Sequence, residues 1–379
     1  MNPGLYIHIP FCRRKCAYCG FFSRAGLTPE VQASYGKALL REAAFVSRSE
    51  YGGTVVKPET LYIGGGTPSL LPVDFYSGLL EGLSEFFDFS ELREATFEAN
   101  PEGLSEDYLR ALYHRTPIRR LSIGIQSFFD EDLKRLNRGH TGREAVQAVE
   151  NARKSGFGNL SVDLIFGLYN EAEKSRWKEN LSRLAALSVP HFSAYALTVE
   201  PGTLLEKQLE KGMVKIADEV LLEKEYLYLQ QFAHEAGYEA YEISNFARAD
   251  KYAVHNTNYW RARPYVGLGA SAHSFFGSRR VWNAADLTAY MADPVGSKQG
   301  ETLTEKDLYH EYVMTALRTV WGVEKEILRR FSPALQADFA RQAERQCGLG
   351  NLEPTPKGYR VPEARRFLTD GIAVEFFLT

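Results

Sequence analysis

Cysteine is scarce in this chain: four residues out of 379, at positions 12, 16, 19 and 347. So few exclude a disulfide framework, yet three of them fall together near the front of the chain. Thiols crowded in this way read as metal ligands or redox groups kept in a reducing cytosol. Long hydrophobic runs are also missing. No stretch approaches the ~18 apolar residues of a membrane span, and no apolar segment follows a basic start before Cys12, so no signal peptide is expected. A cytoplasmic location follows as an expectation. An excess of one charge is absent too. With 45 Lys and Arg against 48 Asp and Glu, the net charge is −3, which offers no footprint for nucleic acid or an anionic membrane surface. Internal repeats and low-complexity tracts do not occur. What is present is an ordinary globular composition, long enough for two domains or one large domain with an appendage.

Short β-rich runs recur along the first half: "LYIHI" (5–9), "TLYIG" (60–64), "ATFEA" (95–99), "LSIGI" (121–125), "LSVDLIF" (160–166) and "HFSAYAL" (191–197). Amphipathic stretches lie between them, at 31–48, 75–87, 105–115 and 142–156. Strand and helix alternating at this spacing predict βαβ units and a parallel sheet. Six units fit a curled sheet or partial barrel, whose chemistry belongs at the C-terminal ends of its strands. Residues 215–237 read as one long helix. The segment 236–302, with "YEAYEISNFAR", "HNTNYW" and "GLGASAHSF", is expected to cover the barrel made by residues 1–235. From 303 to 379, three helical segments, a short hairpin and a terminal helix predict a small winged-helix-like module. Its low positive charge argues against DNA, so a lid or docking role is expected.

Chemistry-bearing residues cluster at the expected strand ends. "FCRRKCAYCGFF" places Cys12, Cys16 and Cys19 after the first strand as C-x3-C-x2-C. Structural zinc normally takes four ligands from two separated pairs, and no second Cys/His pair is evident. Three thiolates on one loop instead suit three irons of a [4Fe–4S] cluster, with a fourth iron left for a non-protein ligand. "GGGTP" (64–68) follows the second strand, where glycines let the backbone approach a ligand closely. Glu98 closes the third strand as a carboxylate for an ammonium or ribose hydroxyls. Gln126 ends the fourth. Arg138, in "LNRGHT", suits a carboxylate through a charge-assisted pair. Asp163 stands inside an otherwise apolar strand and needs a polar partner.

The cysteine spacing, with Tyr18 just before the last thiol, resembles the radical S-adenosylmethionine superfamily. The later motifs resemble its oxygen-independent coproporphyrinogen oxidase-like (HemN-like) branch over nearly the whole chain. The resemblance implies an α/β fold built on a partial (β/α)6 barrel with a C-terminal mostly helical module. It implies a [4Fe–4S] cluster on Cys12, Cys16 and Cys19, with S-adenosylmethionine at the open iron. It assigns Tyr6, Tyr18, Gly65, Gly66, Thr67, Glu98, Gln126, Arg138 and Asp163 to that cofactor, and Ala196 in "SAYAL" beside them.

Two subfamilies share this framework. The decarboxylating oxidase carries a further cysteine two positions after the third, and a long segment ahead of the first. Here Phe21 occupies the former position and eleven residues precede Cys12. Both departures resemble the HemW-type heme chaperones, as does "HNTNYW" (255–260). The implied function is to bind heme and pass it to an acceptor protein, such as a respiratory one, with an electron donor serving the cluster. The alternative is oxidation of coproporphyrinogen III to protoporphyrinogen IX. His255 is the candidate axial heme ligand, with Tyr259 and Trp260 flanking a porphyrin; the competing reading is a turn-capping histidine among core aromatics. His273 is a second candidate. His8 and His140 are expected to orient groups near the cofactors.

Overall fold

Along β1 (Gly4–Ile9) the side chains alternate, as a strand requires. Leu5, Ile7 and Ile9 are fully buried in the main apolar core. Tyr6 and His8 point the other way and hydrogen-bond each other. The same period repeats in β4 (Thr60–Gly65), β5 (Glu94–Ala99), β6 (Arg120–Gln126), β7 (Asn159–Phe166) and β8 (His191–Ala196). One face gives Leu61, Ile63, Phe97, Leu121, Ile123, Val162 and Phe192 to the helix-covered core. The opposite face carries Tyr62, Thr96, Glu98, Ser122, Ser161, Asp163, His191 and Ser193. These polar side chains face one another: Tyr62 reaches Glu98, Ser122 reaches Asp163, and Ser161 reaches His191.

The computed structural model describes residues 2–26, 28–169 and 176–378. Strands β1, β4, β5, β6, β7 and β8 lie side by side in chain order, all parallel. The helices Pro29–Tyr51, Val73–Leu83, Glu106–Arg115, Gly142–Lys154 and Trp177–Leu187 make the crossovers. This is the expected run of six βα units, and the sheet stays open. A two-residue ladder, β2 (Phe11–Cys12) with β3 (Arg24–Ala25), closes the cysteine loop at its base.

Residues 236–302 extend this sheet at both edges. On one side β9 (Glu239–Glu242) and β10 (Asn245–Ala247) add antiparallel beyond β8. On the other, β11 (Tyr265–Leu268) pairs parallel with β1. It is followed by an antiparallel meander of β12 (His273–Phe276), β13 (Arg279–Asn283) and β14 (Lys298–Thr302). One twelve-stranded sheet results. Between these two additions the helix Val254–Trp260, which carries the HNTNYW motif, packs at the N-terminal end of β4 and β5. There Glu94 accepts hydrogen bonds from the backbone N–H groups of Val254 and His255.

The C-terminal module has its own apolar core, built on Tyr309, Val313, Phe339, Ala343 and Phe376. It comprises the helices Glu305–Leu317, Lys325–Leu328, Pro333–Gly348 and Thr369–Val374, with a small three-stranded sheet of 323–324, 353–354 and 358–360. That matches the winged-helix-like pattern expected from the sequence.

Candidate functional site

The six parallel strands in chain order, β1 and β4 to β8, turn their C-terminal ends to one rim, and the rim surrounds a cavity of about 620 Å³. The loop after β1 supplies Cys12, Cys16 and Cys19; the turn after β4 supplies Gly65, Gly66 and Thr67; β5 supplies Glu98; β6 supplies Gln126; and β7 supplies Asp163. Arg138 enters from the loop before the helix Gly142–Lys154, and Tyr18 and Ala196 also line the cavity. Strands spread between residues 4 and 196 thus bring the sequence motifs to one place.

Backbone bonds pin the cysteine loop. Ala17 N–H donates to Leu136 O at 3.0 Å, and Leu205 N–H donates to Ala17 O at 2.8 Å. The turn at Gly66 lies directly beneath it: Gly66 N–H donates to Ile9 O and Thr67 N–H to Phe11 O. A Cβ on Gly66 would sit 2.7 Å from Phe11 O, so only glycine fits. Gly65 takes φ of +111°, and a Cβ there would strike the His8 ring at 2.5 Å. His8 therefore supports the turn, with Nε2 donating to Phe22 O and Nδ1 accepting from Tyr6. Tyr6 does not line the cavity; its contact is with His8, one layer below.

Two side chains hold the thiols. Thr67 Oγ1 donates to Cys12 Sγ at 3.6 Å, and Arg138 Nη1 donates to Cys16 Sγ at 3.3 Å. Asn100 ties the pair together: its Nδ2 donates to Thr67 Oγ1 at 3.0 Å and its Oδ1 accepts from Arg138 Nη2 at 2.7 Å. Arg138 Nε is buried with no partner, which leaves a donor for an anionic group. Burial pushes the Cys19 thiol up from its ordinary value. The acids behave alike: desolvation raises Glu98 and Asp163 above the usual carboxylate range. Glu98 is fixed by Tyr62, whose hydroxyl donates to Oε1 at 2.5 Å, and by Gly65 N–H, which donates to Oε2 at 2.9 Å. Gln126 adopts φ of +68°, in a β-bulge, an unfavourable backbone conformation for a residue with a Cβ.

Among the described residues, no three Cys, His, Asp or Glu side chains converge closely enough to grip a single metal ion. Three thiolates on one loop can each bind a different iron of a larger cluster. Three thiols on one loop, a guanidinium donor without a partner and a glycine cradle fit an iron–sulfur cluster beside a ligand bearing a carboxylate.

A profile of the Radical SAM superfamily matches residues 6–179. The heme chaperone HemW of Haemophilus influenzae is 31% identical over 385 aligned positions, which cover 99% of this chain and 98% of that protein. The HemW of Lactococcus lactis is 30% identical, over 89% of this chain and 86% of that one. The chain belongs to the HemW family. Among solved structures, the coproporphyrinogen III oxidase HemN of Escherichia coli superposes with a TM-score of 0.83, covering 99% of this chain and 90% of that one at 23% identity. The chain therefore shares the HemN fold, and its superfamily implies a [4Fe–4S] cluster and S-adenosylmethionine.

The HemW motif histidine is where the structure departs from the sequence expectation. His255 is buried, outside the cavity lining. Its Nδ1 is paired with Thr60 Oγ1 at 2.7 Å and its Nε2 with the Tyr259 hydroxyl at 2.8 Å. Desolvation, and then the Arg120 guanidinium, lowers its pKa to about 3. With both nitrogens engaged, His255 has no lone pair to offer an iron in this fold. The core-aromatic reading describes it better than the ligand reading. His273 lies elsewhere, exposed on β12 and stacked on Trp282. His140 is buried beside the cavity loop, Nε2 donating to Ile125 O. No histidine lines the cavity among the described residues.

Sequence reading missed several lining residues. Ser122, Gly124 and Tyr195 have ordinary identities and reach the cavity through strand phase alone. Ser122 stands opposite Glu98, Gly124 opposite Asp163 and Tyr195 opposite Ile165 on neighbouring strands, a register that only the folded sheet sets. No helix among the described residues is long and apolar enough to cross a membrane.

Proposed function

We propose that this protein is a heme chaperone that binds heme and hands it to an acceptor protein, such as a respiratory one, in the cytoplasm. The observation that carries this reading is the near end-to-end likeness to a protein named as a heme chaperone, 99% of this chain against 98% of that one. Phe21 supports it. It stands where the oxidase pattern has a cysteine, and it lines the cavity while 70% of its surface stays exposed. With the half-exposed Tyr195, it gives the rim aromatic faces of the kind on which a porphyrin can stack.

In this reading Cys12, Cys16 and Cys19 hold the cluster. Arg138 and Thr67 direct hydrogen bonds at two of the sulfurs and stabilise their anionic form. Glu98, Asp163 and Gln126 present oxygen acceptors for ammonium and hydroxyl groups of S-adenosylmethionine. Arg138 Nε supplies a donor for the cofactor's carboxylate, and Gly65 and Gly66 keep the floor clear. When bound, the cluster supplies a one-electron donor beside a sulfonium, fed by an external reductant. Tyr18 covers the loop and Ala196 the far wall.

The test is heme titration of anaerobically reconstituted protein, with the cluster present and absent, followed by mixing with apo-acceptor proteins. Stoichiometric heme binding and its transfer are expected. Conversion of coproporphyrinogen III to protoporphyrinogen IX at a competent turnover would replace this reading with the oxidase one.

A further inference from the structure

The HNTNYW helix lies at the opposite end of the parallel strands from the cavity, yet a continuous set of contacts joins them. His255 is clamped by Thr60 and Tyr259 through both ring nitrogens, and Glu94 fixes its backbone N–H. Its imidazole lies against the Tyr62 ring, with centroids 5.0 Å apart and planes 28° from parallel. Tyr6 packs on Tyr62 as well, at 6.1 Å. The Tyr62 hydroxyl in turn donates to Glu98 Oε1, and Glu98 is the cavity carboxylate. Gly4 makes room for this arrangement, since a Cβ there would meet His255 Cε1 at 3.2 Å.

We propose that His255 is a positioning residue for Glu98: it fixes the Tyr62 ring, and Tyr62 fixes the carboxylate that receives S-adenosylmethionine. The inference rests on the cofactor reading of the cavity given above. Its physical basis is orientation. Glu98 is half-buried and has two oxygens. One bond from Tyr62 and one from Gly65 N–H hold its plane and leave the remaining lone pairs for a ligand. Without the Tyr62 hydroxyl the carboxylate rotates, or takes up a proton in its desolvated site. Without the His255 ring, Tyr62 loses the wall that sets its side-chain angle. The HNTNYW motif then serves the cofactor from behind, and heme gains nothing from it directly.

The experiment uses the full chain with its reconstituted cluster. Binding of radiolabelled S-adenosylmethionine is measured by equilibrium dialysis, together with the cofactor-induced change in the electron paramagnetic resonance spectrum of the reduced cluster. Tyr62→Phe is expected to raise the cofactor Kd about tenfold, the scale of one hydrogen bond to a charged group, with iron content unchanged. His255→Ala is expected to do the same while heme absorbance and stoichiometry stay as in wild type. Tyr62→Phe added to Glu98→Gln is expected to cost little beyond Glu98→Gln alone, a non-additivity that general destabilisation would not produce. Wild-type cofactor affinity in Tyr62→Phe, or full additivity, overturns the proposal. So does loss of heme binding in His255→Ala with cofactor affinity intact. If His255→Ala does not fold, His255→Gln, which keeps polar atoms for Thr60 and Tyr259 but removes the ring against Tyr62, takes its place with the same two outcomes. Cluster-loaded wild-type protein with no affinity for S-adenosylmethionine would overturn the cavity reading itself, and the proposal with it.

Discussion

His140 illustrates how a single residue is set by its surroundings. It lies two positions from Arg138, donates to Ile125 O and leaves Nδ1 buried without a partner. Desolvation, and then the neighbouring guanidinium, lowers its pKa to about 4. The unfolded chain takes up this proton near the ordinary histidine value, whereas the folded chain does not until about pH 4. Stability from this residue is therefore full above the unfolded pKa and is lost as pH falls. Between pH 7.5 and 5.5 the loss is about 1.4 kcal/mol for one histidine that stays neutral when folded. Urea titrations of wild type and His140→Gln at both pH values check this: the variant's stability should fall by about that much less. The cysteines, "GGGTP", Glu98 and Arg138 were legible as single residues because their chemistry or backbone freedom is distinctive. Nothing in the identity of Asn100 announced that it links Thr67 to Arg138.

Elements were legible where they are long and periodic. "LYIHI" and "ATFEA" fall at β1 and β5 because alternation separates a core face from a cavity face. The helix Val254–Trp260 was not legible. Seven residues cannot sustain a helix alone, and its stability comes from Glu94, a residue 160 positions earlier. Glu94 is buried and accepts from two N–H groups of that helix's first turn. Glu94→Ala strands both donors and is expected to destabilise the fold by about 2–3 kcal/mol. Thermal unfolding measures the loss. If the helix positions Tyr62 as proposed, cofactor affinity falls in the same variant. Strands β9 and β10 lie within the run 238–248, which reads as strand-like in the sequence. Strands β11 to β14 were hidden for a related reason: they are short, and the pairing of β11 with distant β1 decides that they are strands at all.

In the whole molecule, the C-terminal module meets the sheet along the segment after β9. Ile243 N–H donates to Arg318 O, and Val320 N–H donates to Tyr241 O. Arg318 Nε lies 3.3 Å from the buried Glu242 carboxylate, and Arg261 covers the Trp321 ring at 4.3 Å. Desolvation raises the Glu242 pKa, and the Arg318 guanidinium opposes that rise. Arg318→Ala leaves Glu242 without its cation and is expected to cost about 2–3 kcal/mol, below the range for a fully buried pair because Arg318 is partly exposed. Trp fluorescence and far-ultraviolet circular dichroism, followed together in urea, check it. The two transitions should separate in the variant if this contact couples the module to the sheet.

The sequence by itself determined the six βα units, the thiol triad and most of the cavity rim. These depend on local periodicity and on side-chain chemistry that few other residues can supply. Only the tertiary structure decided the fate of the HNTNYW motif. Whether a histidine faces a ligand or a hydroxyl depends on which distant strands surround it. Here Thr60, Tyr62 and Glu94 lie more than 150 residues before His255 in the chain. Thr60 takes up a ring nitrogen, Tyr62 stacks on the ring and Glu94 holds the backbone, the arrangement behind the positioning role proposed for His255.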